Sequence, residues 1–262
     1  MALPAQYVKA LNAPFLDYFH PPKLQVGLAS TYSDMRDAQR LRYQVFVEEM
    51  GAVLDCGEIG IESDHFDPYC QHLLVRDVAN DRVVGCYRIL TDVQAHFTGG
   101  YYSQAEFDMS RILAIPGRFM EVGRTCVHPD YRNGATIGLL WSGLARYMAM
   151  NKYDYLMGCA SIPMELGTKR VASICRRLLR SHLSPPEWRV FPKVPVPLLS
   201  EADNETEVDL PPLLKGYMRM GAVVCGEPSW DPDFNVADLF VLLNADRLNA
   251  RYVRHFVNRN RS

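Results

Sequence analysis

Residues 119–150 read FMEVGRTCVHPDYRNGATIGLLWSGLARYMAM, and this stretch decides the fold. Its first part, Phe119 to Val127, is an apolar run typical of a buried strand, and His128-Pro129 ends it. After a short turn, an apolar segment from about Thr136 to Met150 predicts a helix. The stretch therefore predicts a buried strand that passes directly into a helix.

The turn between this strand and this helix is a candidate phosphate site. Gly134 and the small residue Ala135 let a ligand approach the backbone, and Arg132 adds a positive charge. The first N–H groups of a helix have no partner within it, and the helix dipole is positive there, so an anion is stabilised. An ordinary strand–helix turn has the same spacing, so the turn alone leaves both interpretations open.

Working outward, the rest of the chain alternates between helical and extended patterns. The helical periodicities fall at 5–19, 33–50, 167–182, 213–220 and 246–257, with a short piece near 103–112. The extended patterns fall at 24–29, 72–78, 83–90, 155–162, 222–225 and 237–243. This order predicts a mixed α/β (α+β) fold with one sheet and helices that cover both of its faces.

We expect a single domain over residues 1–262, since this length suits one well-buried core. Residues 1–23 would form an N-terminal helical extension with an apolar stripe, which packs on the protein or a partner, or makes peripheral contact with the inner membrane. Residues 184–212 contain seven prolines and an acidic patch. They are interpreted as a surface loop or flap and not as a second domain.

Composition excludes several classes of function. A net charge of -2 gives no general attraction for nucleic acid. No run of about 18–20 apolar residues predicts a membrane span, and no secretory signal pattern is seen, so we expect a cytoplasmic protein. The seven cysteines lack metal-ligand or redox spacing, so we expect reduced thiols and no bound metal.

A second set of residues is polar or aromatic and scattered along the chain. Its members are Arg42, Phe46, Asp64, Asp67, Arg88, Phe107, Glu121 and Arg124. Each alone has an ordinary explanation, such as a solvated helix face or a loop carboxylate. Glu121 and Arg124 are three apart on a strand and would point to opposite faces, unless a bulge at Val122–Gly123 turns both toward one cleft.

The run VHPDYRNGA resembles the pantetheine-pyrophosphate loop of GNAT acyltransferases, which usually reads V-x-P-x-x-R-x-x-G-x-G. Here Gly134 comes two residues after Arg132 instead of three, and the next small residue is Ala135. This departure matches the ornithine-lipid-forming branch, whose donor is acyl carrier protein instead of acetyl-CoA. The resemblance implies a central, mixed but mostly antiparallel twisted sheet. It also implies that phosphopantetheine binds at Val127, Arg132, Asn133, Gly134, Ala135 and Thr136.

The scattered set resembles the acyl-homoserine-lactone autoinducer synthases, which share R-x-x-V-F, D-x-x-D and E-x-x-R motifs. Those synthases have a tryptophan shortly after the helix, where this chain reads EEMGAVLD, so S-adenosylmethionine is disfavoured as acceptor. The match to the ornithine branch continues through YCQHLLV, GGYYSQAEFD, LLWSGLARYM and LPPLLKGYMRMGAVVCGEPSWDPDFNVADLFVLL. It covers roughly residues 40–256.

The resemblance implies transfer of a (3-hydroxy)fatty acyl group from acyl carrier protein to the α-amine of ornithine, giving a lyso-ornithine lipid. Glu121 would be the base and Arg124 its catalytic neighbour, with an oxyanion held by backbone N–H groups near Gly123–Thr125. Asp64 and Asp67 would hold the cationic acceptor. Its carboxylate would bind to Arg42, Arg88 and Arg124, or these arginines would instead orient the two aspartates. Phe46, Phe107, Trp141 and Tyr147 would line an acyl tunnel or simply pack in the core.

Several alternatives stay open. The acceptor could be another amino acid, such as glycine or tyrosine, or the donor could be acyl-CoA. The product could also be an acyl-homoserine lactone. The remaining alternative is a GNAT-like binding module without catalytic activity. No bound cofactor is expected, because the donor brings its own phosphopantetheine thioester. Acyl carrier proteins are acidic, so basic residues are candidates for docking the donor. These residues are Arg132, Lys169, Arg170, Arg176 and Arg177.

Overall fold

The computed structural model describes residues 23–196 and 208–247, and ten strands occur in these ranges. They are β1 (Leu24–Leu28), β2 (Gln71–Asp77), β3 (Arg82–Thr91), β4 (Phe107–Asp108), β5 (Phe119–Val127), β6 (Tyr155–Pro163), β7 (Phe191–Pro192), β8 (Val223–Val224), β9 (Ser229–Asp231) and β10 (Val236–Asn244). The α-helices are α1 (Tyr32–Arg42), α2 (Asp92–Ala95), α3 (Ser110–Leu113), α4 (Ala135–Asn151), α5 (Thr168–His182) and α6 (Pro212–Met220).

One sheet organises the molecule, in the order β1-β2-β3-β5-β6-β10-β8, with β9 also paired to β10. All of its strand pairs are antiparallel except β5–β6. Strands β4 and β7 form a separate two-stranded pair. The predicted fold class, a mixed and mostly antiparallel sheet of the GNAT type, is confirmed.

Helices cover both faces of the sheet, because side chains alternate along each strand. On β2, Leu73 packs with Leu140 of α4, whereas the adjacent Leu74 packs with Leu41 of α1 on the opposite face. At the other end of the sheet, alternate residues of β10 separate in the same way. Leu239 joins the core under α5 and α6, and Phe240 packs against the segment that precedes β5.

The central parallel pair opens into a cleft. Strands β5 and β6 are in register over three residue pairs, which end at Glu121 and Met157. Immediately beyond, Gly158 lies so close to the Val122 carbonyl that a side chain at position 158 would collide with it. The pairing of β5 with β6 ends here, and residues of both strands from this point onward line a cavity.

Two predicted elements differ from the structure. The first helix begins with Thr31 as its N-cap instead of Ser33 or Asp34, because the Thr31 and Asp34 side chains and backbones form a reciprocal capping box. It also ends in a π-helical segment, Tyr43–Glu49. The predicted helical piece near 103–112 is instead a 3-10 turn at Tyr102–Ala105, followed by β4 and α3.

The proline-rich segment is packed where it is described. Val190 and Val196 are buried, and β7 pairs with β4, so residues 184–196 of this predicted loop or flap pack against the rest of the protein. Residues 197–207 lie outside the described ranges, as do the predicted helix 5–19 and the predicted helix 246–257 beyond residue 247. In the described ranges, no helix combines the length and apolar character required to cross a bilayer.

Candidate active site

Six charged side chains form a closed ring beside the cleft, with arginines and carboxylates alternating. In order around the ring they are Arg42, Glu62, Arg124, Asp64, Arg88 and Asp67. Arg42 is fully buried and binds both oxygens of Asp67, at 2.8 and 2.6 Å. Three positive and three negative groups balance, so the ring holds buried charges without a net charge.

The ring lowers the pKa values of its two aspartates. Burial opposes ionisation of Asp67, but the Arg42 hydrogen bonds outweigh it and hold the pKa of this carboxyl far below its usual range. Burial likewise opposes ionisation of Asp64, and the nearby Arg88 lowers its pKa overall. Both aspartates are therefore ionised and already paired with arginine.

A bulge in β5 brings Arg124 to this ring. Cys86 of β3 faces Cys126, but Arg88 faces Gly123, so β5 contains one extra residue between these pairs. Arg124 accommodates the bulge by adopting a left-handed backbone conformation, with a φ of 50°. The bulge therefore lies one residue beyond its predicted position at Val122–Gly123. Its guanidinium lies 4.8 Å from the Tyr102 ring centroid and 5.0 Å from that of Phe234.

Glu121 occupies the point where β5 leaves β6, and its side chain is fixed. Its two carboxylate oxygens accept backbone N–H bonds from Tyr102 and Ser103, at 2.7 and 2.8 Å. Glu121 is 4% exposed, and burial raises its pKa, although the Ser103 hydrogen bonds oppose the shift. The backbone donors use one lone pair on each oxygen, so the carboxylate keeps acceptor capacity for a substrate proton.

A single cavity of about 450 Å³ connects polar and apolar surroundings. Near the bulge it is lined by Glu121, Arg124 and Thr125. Farther along it becomes apolar, where α4, β6, α6 and β10 contribute side chains. These are Trp141, Leu144, Ala145, Met148, Leu156, Met220 and Leu243. The volume falls in the range of small-molecule sites, and the apolar end suits a hydrocarbon chain.

The π-helical segment supplies a further wall. Phe46 is buried, lines the cavity and meets Phe234 edge-to-face at 5.5 Å. Glu49, the last residue of the segment, also lines the cavity and binds Arg132 through both carboxylate oxygens, at 2.5 and 2.7 Å. A π-helical turn therefore follows Arg42 and directs two residues toward the cleft.

The predicted phosphate turn lies at the start of α4. Gly134 adopts a φ of 86° as the N-cap, and Arg132, Asn133, Gly134 and Ala135 are exposed. The Thr136 hydroxyl donates to the Tyr131 carbonyl and is buried, so it supports the turn from beneath. Val127 and Arg132 line the cavity, whereas the other four predicted phosphopantetheine residues do not.

Some predicted site residues lie elsewhere. Phe107 is buried against Phe240 and does not line the cavity, so its position is that of a core residue. Tyr147 stacks on Tyr153 instead, although Trp141 does line the cavity. Asp64 and Asp67 do not line it either. The predicted docking residues other than Arg132 all lie on α5, outside the cavity lining. They are Lys169, Arg170, Arg176 and Arg177.

Sequence reasoning missed several residues of the site. Glu62 completes the charged ring, and its place two residues before Asp64 was the available signal. Asp238 is 4% exposed and lines the cavity from the middle of β10, where an acid interrupts an apolar run. Donor atoms of Glu106, Cys159 and Asp238 lie within 4.8 Å of one another.

Two solved structures resemble the fold. The N-acyl amino acid synthase FeeM from uncultured soil microbes aligns with a TM-score of 0.53 at 11% identity, over 86% of this chain and 92% of that one. The CoA-dependent acyl-homoserine lactone synthase MesI aligns with a TM-score of 0.51 at 14% identity, over 89% and 95%. At these identities the likeness concerns the fold alone.

Sequence comparison defines the family. The family model "Acetyltransferase (GNAT) domain" matches residues 41–142. The L-ornithine N(alpha)-acyltransferase of Brucella abortus (strain 2308) is 34% identical over 252 residues, covering 89% of this chain and 88% of the relative. That of Rhizobium meliloti (strain 1021) is 34% identical over 268 residues, covering 95% and 89%. The resemblance stated from the sequence is confirmed, and the chain is a GNAT-type N-acyltransferase that belongs to the L-ornithine N(alpha)-acyltransferase family.

Proposed function

We propose that the protein transfers a (3-hydroxy)fatty acyl group from the phosphopantetheine thioester of acyl carrier protein to the α-amine of ornithine, forming a lyso-ornithine lipid. The observation that carries this proposal is a cavity whose lining combines the buried Glu121 carboxylate and Arg124 with many apolar side chains. Such a cavity suits an amine, a thioester carbonyl and an acyl chain at the same time.

Glu121 acts as the base in this proposal. The α-amine must lose a proton to attack, and the raised pKa of a buried carboxyl makes its carboxylate a better proton acceptor. The amine nitrogen forms a bond to the thioester carbon, the C–S bond breaks, and the thiolate leaves and takes up a proton. The backbone of Gly123–Thr125 lines the cavity, and its N–H groups would stabilise the oxyanion.

The charged ring positions this machinery. Arg124 lines the cavity and is held by Glu62 at 3.0 Å and by Asp64 at 3.3 Å, so its guanidinium is preorganised beside Glu121. We assign Arg124 to the acceptor carboxylate. Asp64 and Asp67 pair with the ring arginines and do not line the cavity, so they keep those arginines in place instead of binding the acceptor amine.

The donor enters at the opposite side of Glu121, along Val127 and Arg132. Both residues line the cavity, and Arg132 exchanges its Glu49 partner for the phosphodiester of the carrier's phosphopantetheine. The acidic carrier protein docks on the basic surface that includes Arg132. Because the product has a fatty tail, we include transient peripheral contact with the membrane in this proposal.

The experiment incubates the purified protein with 3-hydroxyacyl carrier protein or the matching acyl-CoA, and with ornithine, lysine, glycine or tyrosine. Mass spectrometry then identifies N-acylated products. The proposal predicts Nα-(3-hydroxyacyl)ornithine from the carrier-bound donor, and faster transfer from the carrier protein than from CoA. Acylation of glycine or tyrosine in preference to ornithine would contradict the acceptor, and equal rates with both donors would contradict the carrier.

A further inference from the structure

A second group of acids lies near Glu121, outside the charged ring. Asp238 of β10 and Asp231 of β9 both line the cavity, and Glu106 lies beside Asp238. One oxygen of Asp238 accepts a 2.6 Å hydrogen bond from the Ser161 hydroxyl. The Oε2 atom of Glu106 is completely enclosed and has no hydrogen-bond donor among the described residues. A buried carboxylate oxygen without a donor is costly, so this oxygen is stabilised by a proton shared with the Asp238 carboxyl or by a cation from outside.

The surroundings of these acids contain little positive charge. Burial raises the pKa of Glu106, and the carboxylates of Asp238 and Asp231 raise it further. Burial also raises the pKa of Asp238, with Asp231 adding to the effect. The charged groups that act on the pair are Asp231, Glu121 and Arg124. Arg124 is already bound to two carboxylates of the ring, so a cation from outside would relieve the repulsion.

Short contacts connect this group to Glu121. The Ser103 N–H donates to Glu121 at 2.8 Å, and the Ser103 hydroxyl contacts the Cys159 sulfur at 3.3 Å. The Cys159 sulfur in turn lies 3.9 Å from the Glu106 carboxylate. The acids therefore lie a few side-chain lengths from the proposed base, within reach of the far end of a small amino acid whose α-amine meets Glu121.

We propose that Glu106, Asp231 and Asp238 bind the side-chain ammonium of the acceptor and so determine its specificity. This inference rests on the proposed function and extends it. Three methylenes separate the two ammonium-bearing ends of ornithine, which lets the α-amine reach Glu121 while the δ-ammonium occupies the acidic group. An ammonium offers three N–H donors, which suits Asp231 and Asp238 on the cavity wall, with Glu106 directly behind Asp238.

A divalent metal is the competing occupant, because Glu106, Cys159 and Asp238 could each offer a ligand atom. The thiol argues against it. Burial raises the pKa of Cys159 well above its usual value, with Glu106 adding to the effect, so a metal would first have to displace the thiol proton. The thiol also contacts the Ser103 hydroxyl. The ammonium is therefore the favoured ligand, and the metal becomes an outcome of the test.

The test compares ornithine with norvaline, which has the same carbon skeleton but no δ-amine. For the wild type we expect kcat/KM to be about 30-fold or more higher with ornithine, the effect of leaving buried charges unpaired. Asp238→Asn and Glu106→Gln should lower kcat/KM for ornithine by about the same factor, mainly through KM, and leave norvaline almost unchanged. Asp233→Asn is the matched control, since Asp233 is exposed nearby and does not line the cavity.

Each outcome decides the question. A parallel loss with both substrates would indicate a structural role and overturn the assignment. Equal use of norvaline and ornithine by the wild type would overturn it without any variant, even if the variants do not fold. Stoichiometric zinc in the purified protein, lost in Glu106→Gln, would assign the acids to a metal instead. If the wild type acylates no amino acid, the proposed function fails; if it acylates ornithine with no preference over norvaline, only this inference fails.

Discussion

Replacing Asp67 with asparagine removes one carboxylate from the charged ring and leaves Arg42 without its main partner. Arg42 is fully buried, and Asp67 binds it through two hydrogen bonds of 2.8 and 2.6 Å. Removing one member of a buried ion pair strands the other charge in a medium of low polarity. The expected loss is about 3–5 kcal/mol of the free energy of unfolding.

Thermal and urea denaturation, followed by circular dichroism, measure this loss. For a protein of this size, about 1 kcal/mol lowers Tm by about 2–4 °C, so Asp67→Asn should lower it by about 6–20 °C. Asp81→Asn is the matched control, because the Asp81 carboxylate binds Arg76 at 2.9 Å with its side chain 88% exposed. An exposed pair of this kind contributes about 0.2–1 kcal/mol, so the control should change Tm little.

The pH dependence gives a second readout of the same ring. The pKa of Asp67 in the folded protein lies below its unfolded value of 3.8. Its contribution to the free energy of unfolding is therefore complete when the pH is above 3.8. The contribution disappears as the pH falls through the folded pKa. The wild type should therefore lose its advantage over Asp67→Asn in strong acid. A loss below about 1 kcal/mol at pH 7, equal to that of the control, would refute the idea that the ring holds buried charges.

Two further predictions concern the cavity. Ala145→Phe should fill its apolar end and exclude about four methylenes of the chain, worth about 0.8 kcal/mol each. The value of kcat/KM should therefore fall about 200-fold for long-chain donors and little for short ones. Steady-state assays with a series of acyl chain lengths check this, and a uniform loss would contradict it. Arg132→Ala should raise KM for the acyl carrier protein several-fold at low salt. Glu49→Gln should not raise KM, because this substitution frees the Arg132 guanidinium from its partially exposed ion pair with Glu49. An unchanged KM for Arg132→Ala would exclude Arg132 from donor binding.

Most regular elements could be predicted from local pattern. The strand and helix of residues 119–150 appear as β5 and α4 with nearly the predicted bounds, since apolar runs and a glycine turn specify them locally. The π-helical continuation of the first helix could not be predicted, because its side-chain spacing resembles that of an α-helix. The bulge was anticipated from two functional residues three apart, but its position at Arg124 depends on pairing with β3.

The sequence indicated which residues form the site better than it indicated which side chains contact one another. Resemblance pointed to five of the six ring residues, but the closure through Glu62 depends on how the 62–67 loop meets β3 and β5. The same tertiary contacts explain why Asp64 and Asp67 bind arginines and do not face the cavity. Phe107 is aromatic and near an active-site motif, yet its side chain packs against β10, which no local pattern reveals.

The central claim is that Glu121 accepts the proton of the attacking amine. The most direct measurement is the pH profile of kcat/KM for acyl transfer to ornithine by the wild type and by Glu121→Gln. Because burial raises the pKa of Glu121 above its usual 4.5, wild-type activity should fall as the pH drops through that raised value, where the carboxylate becomes protonated. Glu121→Gln should be about 100-fold to 10,000-fold slower, and its pH profile should lack this acidic limb. The part of the profile that reflects deprotonation of the substrate amine should remain. A Glu121→Gln variant that folds with an unchanged Tm and keeps both the wild-type rate and the acidic limb would contradict the account.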